Sequence, residues 1–229
     1  MKEKISSQEV LYFSSKEALT LFELWKQGNY KIKKTLKDSN RSYVLLLEIE
    51  GKYFVYKEPR EKNRRKWQQF LSLFRGSESK REAFQMLEIE NHGFLGPQLQ
   101  FAYEKRKLGR VIHSFLLYSY IDAEEITVET AEKALSYLHR IHEAGFLHGD
   151  SQISNFLIHE EEIYIIDSKF QKNKYGDFAC AYEEYYFELS CPICSFLIDR
   201  KRIPYRIAKK WKDLKEWWVK RKTKKREKK

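Results

Sequence analysis

The segment FLHGDSQISNFLIHEEEIYIIDSKF, residues 146–170, constrains this chain more than any other. It sets an acid (Asp150), an amide five positions on (Asn155) and a second acid (Asp167) at the ends of short apolar runs. Phe156-Leu157-Ile158 and Ile163-Tyr164-Ile165-Ile166 read as neighbouring buried strands. Oxygen ligands delivered to adjacent strand ends suit a hard cation and a phosphate. The rest of the chain has to supply a framework for such a site.

Upstream, Ser14-x-x-Glu17 is the signature of a capping box and predicts a short helix whose apolar face ends at Gly28. Residues 30–37, 42–50 and 53–58 read as three strands parted by polar turns. Two helices follow. In the first, Trp67, Phe70, Leu71 and Phe74 fall at i, i+3, i+4 and i+7 before Gly76; the second spans 79–90. Residues 99–104 and 111–120 pair as strands, and Val128, Ala131, Leu135, Leu138 and Ile141 mark a helix ending at Gly145. The pattern predicts an α+β protein: a sheet-based lobe over 1–120, a mostly helical lobe over 121–205 and a charged helix over 206–229.

Hydrophobic residues at 42% and aromatics at 15% belong to a folded chain, long enough at 229 residues for one core or two lobes. No run of about eighteen apolar residues is present to span a bilayer. The first fifteen residues lack an apolar signal region, and three cysteines suit a reducing compartment, so a cytoplasmic location is expected. Charge is concentrated at one end. Residues 206–229 hold thirteen Lys/Arg against three Asp/Glu, ten of the net +11, and leave a nearly neutral body.

Phosphoryl transfer needs a lysine on the phosphates, an acid to hold that lysine, metal ligands, and an acid near the acceptor hydroxyl. Lys57 ends the third strand among apolar neighbours, and Glu82 lies on a following helix. His148-Gly149-Asp150 opens a loop that Asn155 closes, and Asp167 follows the next strand. One Asp and one Asn suffice for magnesium, which keeps phosphate oxygens and waters in its shell.

These residues, in this order, resemble the protein-kinase-like superfamily. Within it, NYKIKKTLKDSNRSYVLLLEIEGKYFVYKEPREKNRRKWQQFL (29–71), the HGD…N…IID stretch and the basic C-terminus resemble the lipopolysaccharide core heptose kinases, the RfaY/WaaY family. The superfamily resemblance implies a two-lobe fold with ATP and Mg2+. Lys57 would contact the phosphates with Glu82 as its partner, Asp150 would be the catalytic acid, and Asn155 and Asp167 would hold the metal. The family resemblance implies a heptose of the lipopolysaccharide inner core as acceptor and a place at the cytoplasmic face of the inner membrane.

Several positions depart from the superfamily pattern. The phosphate-covering turn, Leu36 to Arg41, has no glycine, so Ser39, Asn40 and Arg41 side chains would do what bare backbone usually does. Ser168-Lys169 replaces the usual Phe-Gly, and Gln152 stands where a basic residue is common. Gly149 replaces an arginine that reads a phosphorylated segment, which points to a small-molecule acceptor and constitutive activity. Two alternatives stay open: a small atypical kinase working with a tRNA-modification complex, and a nucleotide-binding pseudokinase.

Blander readings apply elsewhere. His139 and His142, with no carboxylate placed beside them, read as structural, and Cys191-x-x-Cys194 as buried thiols. Arg60, Lys62, Arg64, Arg65 and Lys66 form either a solvated turn or a collar for an acidic glycolipid. In the tail, Ile207, Trp211, Leu214 and Trp218 share one helix face expected to pack on the body, with 220–229 in solvent. Its lysines would meet anionic lipid; no nucleic acid is expected, because the body offers no basic surface.

Overall fold

Arg110–Ser119 is a strand with Phe115, Leu116 and Leu117 all at 1% exposure or less. A strand apolar on both sides must be covered on both faces, and this one is. The computed structural model describes residues 2–227 and divides into two units, Met1–Asp122 and Ala123–Lys229.

The first unit is a seven-stranded antiparallel sheet in the order β1-β2-β6-β7-β5-β4-β3. Its strands are β1 (Lys2–Lys4), β2 (Glu9–Phe13), β3 (Lys31–Asp38), β4 (Tyr43–Ile49), β5 (Lys52–Glu58), β6 (Leu99–Lys107) and β7 (Arg110–Ser119). The helices are α1 (Glu17–Lys26), α2 (Arg60–Arg64), α3 (Lys66–Arg75) and α4 (Glu78–Asn91). On one face Leu11, Leu47, Phe101, Phe115 and Leu117 pack with Phe22 of α1. On the other, Val10, Tyr12, Leu99, Ala102 and Leu116 pack with Ala83 of α4. Each fully buried Leu or Phe contributes about 1.5–3 kcal/mol. The outer strand β3 is exposed throughout and carries four lysines, which discourage pairing with another chain.

The expected helix does begin at Glu17, but not through a capping box. Lys16 occupies the cap without a side-chain bond, and the Ser14 hydroxyl instead donates to the Gln100 carbonyl at 3.3 Å. Sheet pairing outcompetes the local cap. Strands β1 and β2 and the short helix α2 add to the sequence reading. Helix α3 forms where expected, yet its aromatic stripe faces solvent. Trp67 is 65% and Phe74 81% exposed, with Phe70 ringed between them at 5.8 and 6.0 Å. The helix packs through its polar side instead: the buried Ser72 hydroxyl accepts the Val111 N–H at 2.8 Å.

The second unit contains α5 (Ala131–Glu143), α6 (Asp177–Ser190) and α7 (Ile203–Glu227), with short strands between them. Strands β10 (Phe156–His159) and β11 (Glu162–Ile165) form an antiparallel pair, joined by β8 (Glu124–Glu125). Strands β9 (Phe146–Leu147) and β12 (Gln171–Lys172) pair separately. Helix α7 packs on α6, but not through the face expected. Tyr205 and Ala208 are buried, with the Tyr205 ring edge-on to Tyr185 and its hydroxyl on Glu188. Ile207, Trp211, Leu214 and Trp218 stay about half exposed. A tyrosine that finds a buried carboxylate and an alanine that allows close approach outweigh a more apolar stripe. The solvated end expected at 220–229 falls largely outside the described side chains.

Cys191 and Cys194 form a disulfide with Cα atoms 5.5 Å apart, which corrects their reading as thiols; Cys180 is free. A turn of 3-10 helix over Pro192–Leu197 brings them together.

Candidate active site

In the first unit, strand alternation puts Val55 and Lys57 on the face that packs against α4. There the Lys57 ammonium forms an ion pair with the Glu82 carboxylate, each side chain 17% exposed. Helix α4 is held for this contact at its start. Ser77 caps it by accepting the Lys80 N–H at 2.9 Å, and the Ser77 N–H donates to Glu104 at 2.8 Å. Burial alone would favour neutral Glu104, but hydrogen bonds from Arg106 and Ser77 hold its carboxyl below the ordinary value.

The turn between β3 and β4 shows how a glycine-free loop closes. Ser39 N–H and hydroxyl both donate to the Ser42 carbonyl, at 3.0 and 3.1 Å, and the Ser42 N–H returns to the Ser39 hydroxyl. Asn40 and Arg41 are left exposed at the tip. The cations that follow are mostly engaged. Arg60 bonds Asp38 at 2.5 Å and lies 4.0 Å from the Tyr43 ring, Lys62 pairs with Glu78 and Arg65 with Glu61. That favours a structural turn over an open collar.

In the second unit the Asp150 loop is fastened from several sides. The Asn155 amide donates to the Asp150 carbonyl at 2.8 Å, and the Asn155 carbonyl accepts the Ile166 N–H at 2.9 Å. With its amide nitrogen committed, Asn155 keeps its side-chain oxygen for a cation. Asp167 sits in the left-handed region at φ 50°. The Ser168 hydroxyl and Lys169 N–H then both donate to the His148 carbonyl at 2.8 Å, tying the Asp167 segment to the Asp150 loop. Gln152 donates to the Asp150 carboxylate at 3.0 Å, so it acts on this acid directly.

Gly149 has a steric reason beyond the missing arginine. Its φ is +83°, and a Cβ there would lie 2.7 Å from the Lys169 Cβ. His148 is buried against Phe156 with its ring nitrogen Nδ1 facing the Asp150 N–H at 3.3 Å. Burial pushes its imidazole down to about 4, so it is neutral at pH 7.

One residue escaped the sequence reading. Glu183, buried on α6, accepts the backbone N–H groups of both His148 and Gly149, the first at 2.9 Å. It also meets the His142 ring at 3.0 Å, while its own carbonyl accepts the Ser151 hydroxyl at 2.7 Å. A single carboxylate thus clamps the loop that presents Asp150. Glu184 beside it meets His139 at 3.2 Å and Arg202 at 3.0 Å. Both histidines therefore do have carboxylate partners, and they are structural. No cluster of three or more His, Cys, Asp or Glu fit for a metal exists among the described residues. The hard oxygen pair of Asn155 and Asp167 still fits magnesium, which needs few protein ligands.

Among solved structures, WaaP in complex with acyl carrier protein aligns over 94% of this chain and 98% of that one, at 14% identity and a TM-score of 0.54. The kinase domain of Mycobacterium tuberculosis PknI aligns over 71% of each chain, with 15% identity and a TM-score of 0.44. The Cydia pomonella granulovirus kinase PK-1 aligns over 69% of this chain and 58% of that one, with 16% identity and a TM-score of 0.43. The fold is protein-kinase-like, as expected from the motif order. No curated protein sequence matches. The family model described as "Lipopolysaccharide core biosynthesis protein (WaaY)" matches residues 1–177, which include the Lys57–Glu82 pair, the Asp150 loop and Asp167. The chain belongs to this lipopolysaccharide core biosynthesis family.

Proposed function

We propose that the protein is a kinase that uses ATP and magnesium to phosphorylate a heptose hydroxyl in the inner core of lipopolysaccharide. The observation that carries this reading is the Lys57–Glu82 ion pair in a chain of this family. A lysine pre-oriented by an acid holds nucleotide phosphates at little entropic cost, and the pair has no evident need in a pure binding protein. Asp150 accepts a hydrogen bond from the acceptor hydroxyl and orients its oxygen toward the transferred phosphorus. Glu183 keeps Asp150 in place through the loop backbone. Magnesium, held by Asn155 and Asp167, would neutralise charge on the phosphate oxygens. Asn40 and Arg41 at the exposed turn add donors to the nucleotide phosphates.

The acceptor is a glycolipid, so the work is done at an anionic membrane surface. Supporting this, α7 exposes Trp211, Trp217 and Trp218 among its lysines, and α3 exposes Trp67 and Phe74. No helix among the described residues is long and apolar enough to cross a membrane, which leaves peripheral attachment. The deciding experiment incubates purified core oligosaccharide with ATP, magnesium and the protein. A mass gain of one phosphate on the sugar is expected; ATP binding with no transfer to any core oligosaccharide would sink the proposal.

A further inference from the structure

The cavity beside Asp150 is more specific in its chemistry than a generic sugar site. It has a volume of about 310 Å3 and is lined by Gly149, Asp150, Lys169, Tyr182, Glu183 and Tyr186, among others. That is near the lower end for small-molecule sites and suits one saccharide residue with its chain leading out. Its wall is an aromatic ladder: Phe178, Tyr182 and Tyr186 recur every fourth residue along α6, with centroids 6.3 and 5.1 Å apart. All three are half-buried, whereas Ala181, Tyr185 and Phe187 between them are buried in the unit's core.

Helix α7 brings charge to this wall. Lys212 Nζ donates to the Tyr186 hydroxyl at 2.7 Å and lies 4.4 Å from that ring's centre. Lys215 lies 5.7 Å from the Tyr182 ring and 5.8 Å from Trp211. The bond from Lys212, with the charge of Lys215 adding to it, lowers the Tyr186 hydroxyl below its ordinary value, making it a stronger donor. The acids nearby are already committed. Glu183 is occupied with the His148 and Gly149 N–H groups and His142, and Asp150 faces the acceptor. Lys169, Lys212 and Lys215 therefore give the cavity and its rim a positive field.

We infer that this cavity is a subsite for an acidic saccharide, whose ring stacks on Tyr182 and Tyr186 while its phosphate or carboxylate is held by Lys212 and Lys215. On this reading the C-terminal helix serves acceptor specificity as well as packing. The inference rests on the proposed role of Asp150, and names the acceptor as one already carrying negative charge close to the hydroxyl that reacts.

The test uses the full-length protein and three probes: phosphorylated inner-core oligosaccharide, the same material stripped of phosphate, and the same material with its carboxylates reduced. The wild type should prefer the fully charged probe, and the weaker of the other two identifies the group that is read. The double variant K212Q/K215Q should raise KM for the charged oligosaccharide about tenfold and erase the preference, with KM for ATP and the melting temperature unchanged. K212R/K215R should restore the preference, which a merely structural role would not predict. An unchanged KM or an unchanged preference in K212Q/K215Q overturns the subsite and leaves the kinase function standing. If the wild type transfers no phosphate at all, the function fails. Calorimetric binding of the charged probe then still decides the subsite, since equal affinities for wild type and K212Q/K215Q overturn it.

Discussion

Asp150, Asp167, Glu183 and His148 lie within one small region, yet each should fail differently when changed. Asp150→Ala removes only the acceptor-side acid, so transfer should fall below about a tenth of wild type while nucleotide binding and folding persist. Asp167→Ala removes a direct metal ligand and should also weaken magnesium-dependent ATP binding, measured by titration calorimetry. Equal effects of both substitutions on ATP affinity would contradict the division of roles. Glu183→Gln leaves one good acceptor for two backbone N–H groups, and stability should drop by about 1–3 kcal/mol. Turnover should fall with the acceptor KM little changed; unaltered turnover would mean the clamp is dispensable. His148 sets an acid limit. Its native value of about 4 lies below the model value of 6.5, so the unfolded chain binds the extra proton first. The stabilisation is therefore complete above pH 6.5 and is lost as pH falls toward 4, by about 3 kcal/mol in all. Ring resonances followed by NMR should show His148 still neutral at pH 5; a midpoint above 6 would refute its burial.

At the scale of elements, legibility in the sequence tracked how local the cause was. Strands β3, β4 and β5 and helices α3 and α4 announce themselves through alternation and 3.6-residue spacing, and they formed within a residue or two of where these put them. Strand β2 did not, because Val10 and Tyr12 serve one face of the sheet and Leu11 and Phe13 the other. A strand buried on both sides loses its alternation and reads as a short apolar run. The Asp150 loop was legible because its residues are close in sequence. Glu183 was not, since it binds backbone N–H groups 35 and 34 residues away, and backbone leaves no mark on side-chain pattern. The packing face of α7 was misjudged for a related reason: Glu188 on α6 decides it, through Tyr205. Tyr205→Phe should then destabilise the protein by about 1–3 kcal/mol, since Glu188 loses a buried donor. Trp218→Ala, on the exposed face, should change the melting temperature little. A larger loss for Trp218 than for Tyr205 would restore the apolar stripe as the packing face.

For the whole molecule, the uneven charge calls for an explanation that folding does not supply. Ten of the net +11 charges lie in residues 206–229, and 220–229 alone hold eight Lys/Arg and one Glu. Such a run strains a compact fold by self-repulsion unless a negative surface offsets it. An anionic leaflet contributes about 1 kcal/mol for each Lys or Arg held near it, enough in sum for reversible attachment without a spanning helix. Trp217 and Trp218 stand in edge contact at 5.3 Å, each about half exposed, and Arg221 lies 5.0 Å from the Trp217 ring. Amphipathic rings at the start of a cationic run suit the headgroup region. The protein should bind anionic vesicles but not neutral ones. Binding should fade as salt cuts the screening length from about 10 Å at 0.1 M toward about 3 Å at 1 M. Deleting 220–229 should then impair phosphorylation of membrane-embedded glycolipid far more than that of a soluble core fragment. Lys212 and Lys215 remain in that truncated chain, so its affinity for the charged oligosaccharide should survive. Equal losses on embedded and soluble acceptors would mean that the tail serves the fold or the acceptor site, and that lipid plays no part.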